Sequence, residues 1–358
     1  MSDKIGSICM KVISILSFLL FLQPVFSQPK WAELEKSLSD KQKLLGNNIV
    51  VMLCNTDSIL YKKEMGEFNS KTPAPIASCS KWLTAALVMI FADEGKLSLD
   101  DKVIKYLPEF EKYFKNYITI RHCLSHMTGI SDEGGLIKRL LQRRKYSSLE
   151  EEVDAFAARE IRANAGTDFW YGNIGLNIAG RILEVISKKK FDVLIKQKLF
   201  NPLGMKKTTF STTDYSPVNP SGGAQSTAGD YMQFLQMLLN KGKYKGQQIL
   251  SEESVKLMMQ VQTTPAIIKY APKAATGFNY ALGSWVVESP SPLLISPNGG
   301  EISGTYACPG LFGTWPMIDF CRGYAYLVFV KNLLGEERAE IHLELKKIID
   351  LQMASSCK

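Results

Sequence analysis

Apolar positions from Trp31 to Leu45 recur at helical spacing among charged residues, which predicts an amphipathic helix. Two short runs follow, Asn48 to Leu53 and Ser58 to Lys63, around an Asn55-Thr56-Asp57 turn, and together they predict a hairpin. Ser78 to Asp93 has a different pattern. Trp82, Leu83, Ala85, Ala86, Leu87, Val88, Ile90 and Phe91 leave almost no polar face, and a helix apolar all round is a buried one. Gly95 stops it. From about residue 96 to residue 265 helical patterns and loops prevail, with few strand signals. Within that stretch Ile174 to Leu183 predicts a packed helix, whose Gly175 and Gly180 would permit close backbone approach. Strand patterns return at Asn279 to Val287, Leu311 to Asp319 and Tyr324 to Lys331, and Glu336 to Leu351 closes the chain as an amphipathic helix. Early and late strands separated by a helical middle predict an α+β fold. One antiparallel sheet is flanked by the N- and C-terminal helices, and a mostly helical subdomain is inserted into it. A cleft between the two parts is the expected place for a site.

Composition adds limits. A chain of 358 residues can bury a large core, and 46% hydrophobic with 22% charged residues is ordinary globular composition. The formal net charge of +8 is scattered in runs such as Arg143-Arg144-Lys145 and Lys188-Lys189-Lys190. That pattern reads as a solvated basic surface, and no zinc-finger spacing or RNA-binding aromatic signature points to a nucleic-acid partner. Lys4 and Lys11 precede an apolar run from Val12 to Leu22, and Val25-Phe26-Ser27 ends it. Residues 1–27 therefore predict a cleavable secretory signal, with an uncleaved anchor as the alternative. The mature domain is expected at 28–358, exported to a periplasm or the outside, with no stable membrane span after cleavage. Six cysteines remain in it, of which Cys308 and Cys321 fall on what read as neighbouring late strands and are the candidate pair for a disulfide, the pairing being left open. His122, His126 and His342 have no carboxylate or thiolate set at ligand spacing, so neither a metal nor a cofactor is expected.

Two segments carry candidate chemistry. Ser78-Cys79-Ser80-Lys81 opens the buried helix, after Pro73 and Pro75. The first helical turn offers unpaired N–H groups and the positive end of the helix dipole, both favourable to a developing oxyanion. Lys81, three residues on, projects to the same side, and an apolar setting lowers a lysine pKa toward that of a useful base. The bare pattern is weak. It recurs at Ser187-Lys188-Lys189-Lys190, where the setting is a solvated lysine run. Ser78 as a simple N-cap and Lys81 as a snorkelling surface residue is the bland alternative. Phe169-Trp170-Tyr171-Gly172-Asn173 holds the sole Tyr-x-Asn of the chain, just before the helix at Ile174. A tyrosine beside a lysine can pass a proton to a leaving group, and an asparagine can both donate to a substrate carbonyl and accept from the lysine.

Ser78-x-x-Lys81 followed by Tyr171-x-Asn173 resembles the serine beta-lactamase and penicillin-binding-protein superfamily, in particular its class C lactamase, DD-peptidase and family VIII esterase branch. The segments Asp93 to Asp101, Tyr106-Leu107-Pro108, Ile118 to Ile130, Asn201 to Met205 and Ser221 to Asp230 are similar to family segments, so the resemblance runs from about residue 48 to 350. It implies a serine hydrolase in which Ser78 attacks an acyl carbonyl, Lys81 and Tyr171 move protons as a pair, and Asn173 orients a small-molecule or peptide substrate. The third family element, a basic residue or histidine followed by a small residue and glycine, falls on Asn298-Gly299-Gly300. Asparagine lacks the charge to grip a carboxylate, which disfavours true beta-lactamase or carboxypeptidase activity more than hydrolysis itself. Backbone donors of Ser78 and Glu301 are the expected oxyanion hole. The competing reading is a non-catalytic binding or regulatory protein on the same fold.

Overall fold

The computed structural model describes residues 30–132, 145–212, 216–289, 302–330 and 339–357. Residues 1–27, where a secretory signal is expected, and residues 298–301 lie outside the described residues. Helices are α1 (Ala32–Lys41), α2 (Ser80–Asp93), α3 (Ile120–Leu124), α4 (Leu149–Ala157), α5 (Ile174–Ser187), α6 (Ala228–Leu239), α7 (Glu252–Met259) and α8 (Ala339–Asp350), besides shorter turns. Strands β1 (Ile49–Cys54), β2 (Ile59–Met65), β3 (Asn279–Tyr280), β4 (Trp285–Glu288), β5 (Thr305–Ala307), β6 (Trp315–Asp319) and β7 (Tyr324–Val330) form one sheet. Its order is β2-β1-β7-β6-β5-β4-β3, with every neighbour antiparallel. This is the α+β sheet with flanking terminal helices that the pattern predicts.

Side chains of a strand alternate between faces, and here both faces are covered. Ile49, Val51 and Leu53 of β1 join Tyr326 and Val328 of β7 in a core with Leu34 and Leu38 of α1 and Leu345 and Ile349 of α8. Val50, Met52, Leu327 and Phe329 face the other way, into the larger core with α2, α5 and α6. The two central strands are therefore apolar at nearly every position, and the β1–β2 connection is closed locally. Asn55 Oδ1 accepts from the backbone N–H groups of Asp57 (3.0 Å) and Ser58 (2.8 Å), a side-chain-driven turn.

Three local expectations are corrected. Asn279 to Val287 is not one strand: a turn at Ala281–Ser284 folds β3 back on β4, with Ala281 N–H donating to Ser284 O at 2.9 Å. Gly283 makes that turn at φ +84°, where a Cβ would lie 2.7 Å from Ala85 Cβ, so the hairpin sits directly on α2. The strand expected from Leu311 starts only at Trp315, because Gly310 and Gly313 shape a loop in which Gly310 N–H donates to Thr314 O at 2.8 Å. Finally, Cys308 is not disulfide-bonded. Cys321 pairs with Cys357, whose tail lies on the β6–β7 turn through Ser356 N–H to Cys321 O, while Cys308 keeps a buried thiol under the Ser78 turn.

α2 is buried from Ser80 to Phe91, and its ends are fixed from outside. At its C-terminal end Asp93 accepts from Ser251 Oγ (2.6 Å) and Ser254 Oγ (2.7 Å), tying it to α7. Among the described residues no helix is long and apolar enough to cross a membrane.

Candidate active site

Ser78 lies in a single 3-10 turn, Ala77–Cys79, that leads into α2, so the helix proper begins two residues later than the pattern predicts. Ala77 holds φ +44°, a left-handed conformation that a side-chain-bearing residue adopts at a cost. The turn is braced on several sides. Cys308 Sγ donates toward Ser78 O and Gly283 O, each at 3.3 Å, and Tyr231 Oη donates to Cys79 O at 2.8 Å. Ser78 itself is part-exposed.

Lys81 sits one turn on, 1% exposed. Its Nζ donates to Ser78 Oγ (3.2 Å), Asn173 Oδ1 (3.3 Å) and Ser221 O (2.9 Å), and lies 4.8 Å from the centre of the Tyr171 ring. The structure thus brings Ser78, Lys81, Tyr171 and Asn173 into one cluster. Asn298, Gly299, Gly300 and Glu301 fall outside the described residues.

Tyr171 and Asn173 are set by local structure. Phe169–Trp170 pairs with Ile268–Tyr270, Tyr171 N–H donates to Tyr270 O at 3.1 Å, and Asn173 is the N-cap of α5. α5 is seated close to α3, because Gly175 leaves room where a Cβ would lie 2.1 Å from Cys123 O. The Tyr171 ring packs in an aromatic cage, with ring centres 4.7 Å from His126, 5.1 Å from Trp285 and 6.1 Å from Tyr280. His126 Nε2 hydrogen-bonds Tyr280 Oη at 3.0 Å. Burial first, and then the Lys81 charge, hold the His126 pKa well below the ordinary histidine value, so its ring is neutral near pH 7.

The third acceptor on Lys81 is itself held by buried polar groups. Ser221 N–H donates to Asn177 Oδ1 (3.0 Å), and Asn177 Nδ2 donates to Glu152 Oε2 (3.2 Å). Thr84 Oγ1 donates to Pro220 O at 2.6 Å, and Ala224 N–H to Ser80 Oγ at 3.0 Å, locking the 220–224 loop to α2. Sequence reasoning assigned no role to Glu152, Asn177, Ser221, His126 or Tyr280. Their contacts join distant segments, and the available signal was that His126 and Ser221 lie in segments similar to the family. Chemically, a part-exposed hydroxyl within reach of a buried amine, with a phenol beside the amine, can be deprotonated and acylated.

A family model for beta-lactamase matches residues 31–349. The chain belongs to the beta-lactamase family. Protein Rv1367c of Mycobacterium tuberculosis is 26% identical over 332 residues, spanning 75% of this chain and 82% of that one. The D-alanyl-D-alanine-carboxypeptidase/endopeptidase AmpH of Escherichia coli K12 is also 26% identical, over 63% of this chain and 64% of its own. Among solved structures, one from Bacteroides dorei DSM 17855, assigned as a beta-lactamase, superposes with a TM-score of 0.75 at 27% identity, over 89% of this chain and 99% of that chain. EstCE1, a hydrolase with promiscuous acyltransferase activity, shares the fold at a TM-score of 0.71 and 19% identity, over 89% and 100% of the two chains. The chain is thus a member of the beta-lactamase-like serine hydrolase family, similar in sequence to a carboxypeptidase/endopeptidase and in fold to a hydrolase.

Proposed function

We propose that the protein is an exported serine hydrolase that forms an acyl-enzyme on Ser78 and hydrolyses a small ester, amide or peptide. The observation that carries this is the Lys81 ammonium nitrogen, 1% exposed and 3.2 Å from Ser78 Oγ. Ser78 Oγ attacks the substrate carbonyl as its proton passes to the Lys81/Tyr171 pair in its deprotonated form. Collapse of the tetrahedral adduct breaks the bond to the leaving group, which takes a proton from the pair through Tyr171. A water then attacks the acyl-enzyme, gives its proton to the pair, and Ser78 recovers its own as the acid departs. Asn173 orients the substrate carbonyl and Lys81, and the Ser78 N–H contributes to the oxyanion hole with a donor from the 298–301 segment. Because Asn298 brings no charge, an esterase or peptidase fits the sequence better than an antibiotic-degrading enzyme. Residues 1–27 direct export to a periplasm or the outside, and a secreted product starting at Gln28 is the expected mature form.

The test is pre-steady-state hydrolysis of a p-nitrophenyl ester. A burst of about one p-nitrophenol per protein, absent from Ser78→Ala, is the expected result. Linear release at the Ser78→Ala rate would sink the acyl-enzyme reading and favour the non-catalytic one.

A further inference from the structure

Tyr171 also forms part of the wall of a cavity of about 280 Å³, shared with Ile130, Asp132, Arg162, Trp170 and Tyr270. The Arg162 guanidinium carbon lies over the Trp170 ring, 3.8 Å from its centre, and Trp170 in turn stacks on Tyr270 with ring centres 6.2 Å apart. Arg162 Nη2 donates to Ser131 Oγ at 3.2 Å. No carboxylate among the described residues pairs with Arg162, whereas Asp132 is matched by Arg159 at 3.3 Å. The cavity therefore presents a guanidinium that has no carboxylate partner among the described residues and is held against the indole face. A planar fork of N–H donors suits the two oxygens of a carboxylate, and stacking reduces the ordering needed to bind one. Tyr171 belongs both to this cavity and to the Ser78–Lys81 cluster, and the aromatic walls suit the apolar part of a substrate reaching from one to the other.

We propose that Arg162 is a specificity-determining residue that binds a carboxylate on the substrate, so that the favoured substrates are anionic acyl compounds. The proposal rests on the serine-hydrolase reading for its kinetic consequence, but the binding site itself does not require turnover.

The experiment compares p-nitrophenyl hydrogen glutarate with the neutral p-nitrophenyl valerate on wild type, Arg162→Ala and Arg162→Glu. Wild type favours the anionic ester in kcat/KM, chiefly through KM, and the preference ratio falls by about tenfold or more in Arg162→Ala. Arg162→Glu shifts the preference to an ester bearing a quaternary ammonium. Equal ratios in all three proteins, with both esters hydrolysed, overturn the proposal and leave the hydrolase reading standing. If wild type hydrolyses neither ester, tryptophan fluorescence decides. A saturable change with glutarate, absent with glutaramide and lost in Arg162→Ala, supports the carboxylate subsite, and its absence refutes it.

Discussion

Lys81→Met separates what this lysine does chemically from what it does for the fold. Lys81 is 1% exposed, and the oxygens of Ser78, Asn173 and Ser221 that accept from it are all uncharged. Burying an ammonium ion costs several kcal/mol even after relaxation. Hydrogen bonds from a charged donor return about 1.5–3 kcal/mol each, so the three bonds roughly offset that cost. Methionine keeps the unbranched apolar stem and carries no charge. It leaves Ser221 O and Asn173 Oδ1 short of one donor, at about 1–3 kcal/mol each if water does not replace it. The burial cost and the three bonds cancel, so the two unpaired acceptors set the change: a destabilisation of about 2–6 kcal/mol if water reaches neither, and less where it does. Activity should not be spared. Losing a general base typically costs about 10²–10⁴-fold, and the loss here should fall in kcat, since the amine acts on the transferred proton. The assay is urea unfolding at unchanged slope together with ester turnover per folded molecule. A variant that keeps more than about a tenth of wild-type turnover would refute the chemical role. A loss beyond about 6 kcal/mol would show that the lysine is chiefly structural.

Other substitutions test the frame around the site. Gly175→Ala gains about 1 kcal/mol of helix propensity but puts a Cβ 2.1 Å from Cys123 O, so net destabilisation of about 1–3 kcal/mol and lower activity per folded molecule are expected by thermal melt and turnover. Lys346→Met removes a 2%-exposed cation that lies 3.1 Å from the fully buried Asp319 and 2.7 Å from Asp350. Because Arg322 stays 3.2 Å from Asp319, the loss should sit near the low end of the usual range, about 3 kcal/mol, and a cycle with Asp319→Asn should reveal the coupling. Burial pushes the His342 pKa from 6.5 down to about 3, and its ring stacks on Trp315 with centres 4.3 Å apart. The unfolded chain thus binds a proton below pH 6.5 that the folded one refuses, so this contribution is complete above pH 6.5 and is lost as pH falls toward about 3. His342→Phe keeps the stack and should flatten the acid slope of unfolding free energy by about 1.4 kcal/mol per pH unit, and an unchanged slope would contradict this origin.

What the sequence displayed was what neighbours in the chain control. Ser78 and Lys81 are one turn apart, and Tyr171 and Asn173 flank the start of α5, so their spacing alone aligned them. The uninterrupted apolar runs of β1 and β7 were likewise legible, because both faces of the sheet are covered there. Long-range partners were not readable. Glu152, Asn177 and Ser221 form one hydrogen-bonded chain although 25 and 44 residues separate the successive pairs. β5 is three residues, Thr305–Ala307, too short for a periodic signal even though all three are buried. The disulfide expectation failed because strand proximity said nothing of the C-terminal tail, which returns to the β6–β7 turn and places Cys357 against Cys321. The break in the expected 279–287 strand shows the same limit: Gly283 turns the chain where α2 approaches, and that approach is set by tertiary packing.

Intact-mass spectrometry of the purified mature protein after a fluorophosphonate, beside Ser78→Ala, tests the central claim most directly. The acyl-enzyme mechanism predicts a single adduct on wild type that is lost in the variant. Folded wild type that takes up no adduct, or an adduct that survives in Ser78→Ala, would contradict an activated Ser78.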